Sequence, residues 1–211
     1  INYDSTYGKL EDKFKIIEDN YIQNSKSKIK ITHFDSLDKI DLKNVDIIID
    51  CSGKKEDAKL LEKLPVKAIF LTHPNKNAHI NLILGANEEK LDVNLHKIIS
   101  TSSCNATSLL PALKLIDDKK EIICGDIVTI HPLLNHQRVL DGNYVGSATR
   151  DVDLNFEFGR SSTQNIIPSR TTTIKACSYV LSKFNSELIS SNSLRVPTDT
   201  VGAINVTLFT K

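Results

Sequence analysis

The chain has 211 residues, enough for one large or two small domains with a true hydrophobic core. Its 27 lysines and arginines against 26 aspartates and glutamates leave a formal net charge of +1, which implies no general pull toward nucleic acid or an anionic membrane. There is no apolar run of membrane-spanning length and no charged-then-apolar leader, so a soluble protein with no membrane partner is expected. The four cysteines, at 51, 104, 124 and 177, form no C-x-x-C pair, a spacing that suits reduced thiols in a cytoplasm better than a disulfide framework or a metal site. Because the chain starts at Ile1 and contains no methionine, it is expected to be a fragment of a longer protein.

In chain order, residues 1 to about 35 read as β-hairpin material. Lys13–Glu18 and Lys28–Phe34 alternate apolar with polar around a polar turn at Asn24–Ser27, and Lys26, Lys28 and Lys30 read as a solvated strand face. An α/β rhythm follows: Val45–Cys51 as a buried parallel strand, Lys55–Leu64 as a helix and Val66–Thr72 as the next strand. Alternating strands and helices predict a parallel sheet of doubly wound type, which binds ligands at the carboxyl ends of its strands. Cys51-Ser52-Gly53 and Thr72-His73-Pro74 lie at two such ends. Asn87–Lys97 reads as a polar connection, and no G-x-G-x-x-G occurs anywhere in the chain.

The stretch Thr101-Ser-Ser-Cys104-Asn-Ala-Thr-Ser organises the rest. Lys97–Thr101 before it is strand-like, and Leu109, Leu110, Leu113 and Ile116 after it recur at helical spacing, so Cys104 falls at a strand-to-helix junction. Unpaired N–H groups and the positive dipole end of a helix stabilise a thiolate, and equally an oxyanion formed when that thiolate attacks a carbonyl. Downstream, Gly125–His131 is a β-branched run ending in a histidine, which can serve Cys104 as base and later as acid. Between His131 and Pro168 the segment Leu133–Ile167 shows no convincing period, a length of loop that is usually functional or disordered. Strands at Ile127–Ile130 and Gly202–Thr210 around a helix at Thr173–Phe184 predict an α+β catalytic domain with a mixed or antiparallel sheet.

Five segments, Tyr3-Asp-Ser-Thr-Tyr-Gly, Ser103-Cys104 with its small polar followers, Val128-Thr-Ile-His131, Arg160-Ser-Ser-Thr-Gln-Asn-Ile-Ile-Pro-Ser and Leu194-Arg-Val-Pro-Thr, stand in one order. In that order they resemble the glyceraldehyde-3-phosphate dehydrogenases and the similar erythrose-4-phosphate dehydrogenases. The resemblance implies an incomplete Rossmann-type dinucleotide-binding domain over residues 1–103 and a catalytic domain over 104–211 whose C-terminal end lies beyond the sequence. It implies NAD or NADP as cofactor, bordered by Ser52, Gly53 and Thr72, with the glycine fingerprint in a segment outside these residues or the cofactor not bound at all. It further implies a Cys104 thioester, His131 as acid and base, Arg195 on the substrate phosphate, and a homotetramer built through the loop after His131. Ser103, Thr171 and Thr172 are candidates for the attacking phosphate, since hydroxyls and loop N–H groups bind anions without a second charge, and Arg170 adds one.

The chain also departs from the family. Asn105 and Ala106 stand where the family usually carries hydroxyls after the nucleophile, Leu134 and His136 alter the loop after His131, and Arg170-Thr171-Thr172 replaces Ser-Thr-Gly. His136 and Arg170 are the expected replacements, since charged donors bond anions more strongly than hydroxyls. His73 is bulkier than the small residue usual at its place. The expected activity is phosphorylating oxidation of glyceraldehyde 3-phosphate. Erythrose-4-phosphate oxidation, and a binding protein that kept the fold and lost turnover, are the alternatives.

Overall fold

A computed structural model describes residues 2–34, 39–52, 58–143 and 157–211. By its contacts the chain divides into two units, Ile1–Asn44 and Val45–Lys211.

In the first unit β1 (Tyr3–Asp4) pairs antiparallel with β2 (Gly8–Lys9). Next, β3 (Lys15–Glu18), β4 (Tyr21–Gln23) and β5 (Lys28–Lys30) form a three-stranded antiparallel sheet in that order. The expected hairpin therefore carries an extra middle strand: Asn24–Ser27 joins β4 to β5, not the two outer runs. Asn24 Oδ1 accepts from the N–H groups of Lys26 and Ser27, the side-chain turn that makes this corner. All of β5 is exposed, with Lys28 paired to Glu18 at 3.2 Å and lying 4.4 Å over the Tyr21 ring.

The second unit begins with a wholly parallel sheet in the order β6-β7-β9-β8, from β6 (Ile47–Asp50), β7 (Ala68–Leu71), β8 (Ile80–Asn81) and β9 (Ile98–Ser100). Helix α1 (Ala58–Glu62) lies between β6 and β7 in sequence. The run expected as a buried strand, Val45–Cys51, is an edge strand instead. Ile47 is 53% and Ile49 66% exposed, because β6 pairs on one side only among the described residues.

After β9 comes α2 (Cys104–Asp117), then β10 (Ile122–His131), β11 (Ile167–Ser169), α3 (Thr173–Val180), β12 (Ile189–Arg195) and β13 (Ala203–Thr210). The four strands make a mixed sheet ordered β11-β12-β10-β13, with β10 parallel to β12 and every other pair antiparallel. This α/β architecture with a mixed sheet is the one expected. Helix α2 buries Ala106, Leu109, Leu110 and Leu113, one face at i, i+3, i+4 and i+7, and α3 buries Ile174, Ala176, Cys177 and Val180. They meet Ile122, Ile127 and Ile189 of the sheet, with Ile83 and Ala86 completing the core. Each such aliphatic side chain contributes about 1.5–3 kcal/mol when fully buried. Gly85 lets the preceding loop close on α2: it adopts φ +83°, and a Cβ there would come within 3.3 Å of Pro111.

Of the long segment after His131, residues 144–156 lie outside the described residues. The remainder is tied together by Arg138, which donates from Nε and Nη2 to the Asn143 carbonyl at 3.1 and 2.7 Å, and by Asp141, which accepts from the Ser161 N–H at 2.7 Å. Among the described residues no helix is long and apolar enough to cross a membrane, and no group of three or more His, Cys, Asp or Glu could hold a metal ion.

Candidate active site

Cys104 is presented by a tight backbone reversal. Ser102 takes φ 63°, in the left-handed region that non-glycine residues rarely enter, and its N–H donates to Ser100 Oγ at 3.1 Å. Such strain costs about 1–3 kcal/mol and collects at functional sites. Ser103 then caps α2, its Oγ accepting from the Ala106 N–H at 3.4 Å, so that Cys104 is the first helical residue and is exposed.

His131 ends β10, and its Nε2 lies 3.9 Å from Cys104 Sγ. Nδ1 lies 2.7 Å from the Pro132 carbonyl. A carbonyl only accepts, so Nδ1 carries the proton and Nε2 turns its lone pair toward the thiol. Burial pushes the His131 pKa below its usual 6.5 and the charge of Arg195 pushes it further, against the opposing bond to Pro132, so the ring is a neutral base at pH 7.

Arg195 comes to the site by strand register. It ends β12 and is the direct partner of His131 across the parallel pair. Two residues back, Thr129 faces Ser193, and Thr129 Oγ1 donates to Ser193 Oγ at 2.8 Å in the core. A slip of one residue would turn every side chain to the opposite face, so this buried bond helps hold His131 beside Arg195. Nε and Nη1 of Arg195 are buried and have no hydrogen-bond partner among the described residues. Burial lowers its pKa, while charge on Cys104 and Glu157 acts the other way. A guanidinium held out of water with unpaired donors needs an anion.

One cavity of about 260 Å³ gathers most of the expected site: Ser103, Cys104, His131, Arg170, Thr171, Thr172 and Arg195 all line it. The N-termini of α2 and α3 both reach it. At α3, Thr171 Oγ1 accepts from the Thr173 N–H at 3.2 Å, while Thr172 makes no side-chain cap bond. A second space of about 530 Å³, lined by Cys104, Ser108, His131, Thr200 and Gly202, opens on the other side of the pair without a charged side chain among these. His136 lines neither; it is exposed and packs edge-on against Phe158, with burial and then the charge of Arg195 lowering its pKa.

Ser52 and Thr72 stand apart from this cavity, at the carboxyl end of the parallel sheet. The Ser52 N–H donates to Asp50 Oδ1 at 2.9 Å, and Thr72 Oγ1 donates to the Asp50 carbonyl at 2.9 Å. Gly53 lies outside the described residues. Here Asp50 Oδ2 and both ring nitrogens of His73 are buried with no partner among the described residues. The two regions are joined through Ser100, whose Oγ donates to the His73 carbonyl at 2.8 Å while accepting from Ser102.

Sequence reasoning missed Phe158 and Asn105, which line the anion cavity, and Glu157, which accepts from Ser169 Oγ at 2.8 Å. Asn105 was open to inference as the residue after the nucleophile in the first helical turn. Phe158 and Glu157 carry no such signal.

A family model described as the C-terminal domain of glyceraldehyde 3-phosphate dehydrogenase matches residues 103–211. The chain is 29% identical over 211 residues to the glyceraldehyde-3-phosphate dehydrogenase of Geobacillus stearothermophilus, covering 98% of this chain and 60% of that protein. It is 31% identical over 210 residues to glyceraldehyde-3-phosphate dehydrogenase 2 of a Nostoc species, covering 97% and 59%. To glyceraldehyde-3-phosphate dehydrogenase 2 of Staphylococcus aureus it is 31% identical over 212 residues, covering 98% and 59%. It thus spans about 60% of the length of these curated relatives. With Cys104, His131 and Arg195 gathered inside the matched segment, the chain belongs to the glyceraldehyde-3-phosphate dehydrogenase family.

Proposed function

We propose that the protein oxidises glyceraldehyde 3-phosphate to 1,3-bisphosphoglycerate, with NAD or NADP and inorganic phosphate, through a thioester on Cys104. The observation that carries this reading is the Cys104–His131 contact of 3.9 Å in a cavity lined by Arg195, whose Nε and Nη1 have no partner among the described residues. Nε2 of His131 takes the thiol proton and the sulfur adds to the aldehyde carbon, giving a hemithioacetal. His131 then holds the hemithioacetal proton as the carbon–hydrogen bond breaks, leaving the thioester. Inorganic phosphate attacks the thioester carbonyl, the carbon–sulfur bond breaks, and the acyl phosphate leaves a free thiolate. Arg195 holds the substrate phosphate. Ser103, Thr171, Thr172 and Arg170, beside two helix N-termini, receive the attacking one. His136 lies outside this cavity, against Phe158, so the substrate phosphate falls to Arg195 alone.

The nicotinamide, when bound, accepts the hydride. Ser52, Gly53 and Thr72 would border it, and the orphaned atoms of Asp50 and His73 fit a polar group at that end of the cofactor. We infer that residues 1–103 belong to the cofactor-binding part and 104–211 to the catalytic part, and that the protein is a cytoplasmic homotetramer. A native mass of four subunits is the expected result for that assembly, and a monomeric mass would overturn it.

The test is an assay on the intact protein, following cofactor reduction with glyceraldehyde 3-phosphate and with erythrose 4-phosphate, with phosphate or arsenate present or omitted. Phosphate-dependent reduction with the three-carbon substrate is expected, and it should vanish when limiting iodoacetamide has alkylated Cys104. Faster turnover of the four-carbon sugar would assign the longer substrate. No reduction with either, by protein whose Cys104 still alkylates, would overturn the enzyme reading.

A further inference from the structure

The anion cavity has one aromatic wall. Phe158 lines it together with Cys104, His131 and Arg195, and the residue is only 7% exposed. The ring is held from two sides. His136 packs against it with centroids 4.9 Å apart at 64° between planes, and Glu157 beside it in sequence accepts from Ser169 Oγ at 2.8 Å. Ser169 in turn pairs with Ser193 of β12, two residues before Arg195, so the ring and the guanidinium are positioned by one pair of strands.

Such a ring cannot hydrogen-bond a sugar hydroxyl or a phosphate oxygen; it acts on a substrate through bulk and by excluding water. The cavity, about 260 Å³, is smaller than the roughly 300–1,000 Å³ of sites for drug-sized ligands. A substrate spans it from the sulfur, where its aldehyde carbon reacts, to Arg195, where its phosphate is held. A chain one CHOH unit longer must fold back to keep both contacts, and its extra hydroxyl is pressed toward the ring, where burial without a partner is unfavourable.

Resting on the reading of this site as an aldehyde-phosphate dehydrogenase, we propose that Phe158 is its specificity-determining residue, restricting the substrate to a three-carbon chain, counted from the reacting carbonyl carbon to the carbon that bears the phosphate. Differences of one such group in a pocket are worth about 10–200-fold in kcat/KM, so removing the ring relaxes the preference by roughly tenfold or more.

The experiment compares the parent protein with Phe158→Leu and Phe158→Ala in two readouts. The first is the ratio of kcat/KM for erythrose 4-phosphate over glyceraldehyde 3-phosphate. The second needs no turnover: protection of Cys104 from iodoacetamide by glycerol 3-phosphate and by erythritol 4-phosphate. The parent should favour the three-carbon member in both, and Phe158→Ala should raise the four-to-three ratio about tenfold, with Phe158→Leu between. Phe158→Leu keeps a buried apolar side chain and carries the test if Phe158→Ala fails to fold. A ratio that stays constant across the three proteins, or a parent that already favours four carbons, overturns the proposal. If neither aldehyde is oxidised, the enzyme reading fails, while the protection ratio still decides the role of Phe158; protection by neither polyol phosphate overturns that role too.

Discussion

The carboxyl ends of the two sheets in Val45–Lys211 are finished to different degrees by the residues described. At the mixed sheet, β10 and β12 lie side by side in the interior, with Ile127 0% and Ile189 1% exposed, and deliver His131 and Arg195 in register. At the parallel sheet, Ile47 and Ile49 of β6 lie open to solvent, and the loops after β6 and β7 leave Asp50 Oδ2 and the His73 ring nitrogens unpaired. Both ends hold orphaned polar atoms, but among the described residues the first alone surrounds its orphan with a cysteine, a histidine and two helix N-termini. The Cys104–His131–Arg195 cluster is thus placed by packing within this chain, whereas the end of the parallel sheet offers unused hydrogen-bond capacity among the described residues.

The largest expected effect breaks the first region at its base. His131→Asn should lower kcat/KM by about a hundredfold or more, a usual scale for lost general acid–base help, without a matching loss of cofactor affinity. The pH profile sharpens this. The active form is the neutral ring, and its pKa is held below 6.5, so the acid limb of the parent profile should fall below 6.5 and be missing in the variant. An unchanged rate in the variant would remove His131 from the chemistry.

Arg195 comes next. Each hydrogen bond to a charged group is worth about 1.5–3 kcal/mol, so losing the guanidinium should raise KM for the aldehyde phosphate by roughly tenfold or more. Arg195→Lys should not rescue it fully, because an ammonium cannot offer a planar pair of donors. Thermal stability should stay level or rise in Arg195→Met, since a buried charge with unpaired N–H groups gives way to an apolar chain of similar length. A destabilised Arg195→Met protein with unchanged KM would make the arginine structural.

Much of this was legible in the sequence wherever the signal is local. Leu109, Leu110 and Leu113 announce α2 and so place Cys104 at its start; the β-branched run to His131 announces β10. What failed was long-range. An apolar run such as Val45–Cys51 reads the same for an edge strand as for a central one, because pairing on the second side is set by residues elsewhere in the chain. Strand β4 is three residues long and joined to β3 through a register irregularity at Glu18, too short for alternation to reveal. Phe158 and Glu157 sit in an aperiodic stretch and gain their roles only when Glu157 meets Ser169, 12 residues on. His136 was expected in the anion site on its chemistry, but sequence proximity to His131 says nothing of direction after the chain leaves the strand.

The smallest expected effect separates the two regions by stability alone. Thr129 is 1% exposed and its hydroxyl is bonded to Ser193 in the core, so Thr129→Val leaves a buried hydroxyl short of a partner and should cost about 1–3 kcal/mol. Replacing both members, Thr129→Val with Ser193→Ala, should recover part of that loss, because no donor or acceptor of the pair is then stranded. Thr72 makes a similar bond, to the Asp50 carbonyl at 2.9 Å, but is exposed, and water can replace its hydroxyl. Thr72→Val should therefore leave the unfolding free energy within about 0.5 kcal/mol of the parent, the usual range for a surface change. Denaturant melts of the three variants and the parent measure all of this together. Equal losses at Thr129 and Thr72 would mean that the parallel-sheet end is as tightly built as the mixed-sheet end. A Thr72→Val protein of parental stability with weakened NAD or NADP binding would instead tie that hydroxyl to the cofactor, which is the role that the proposed function gives it.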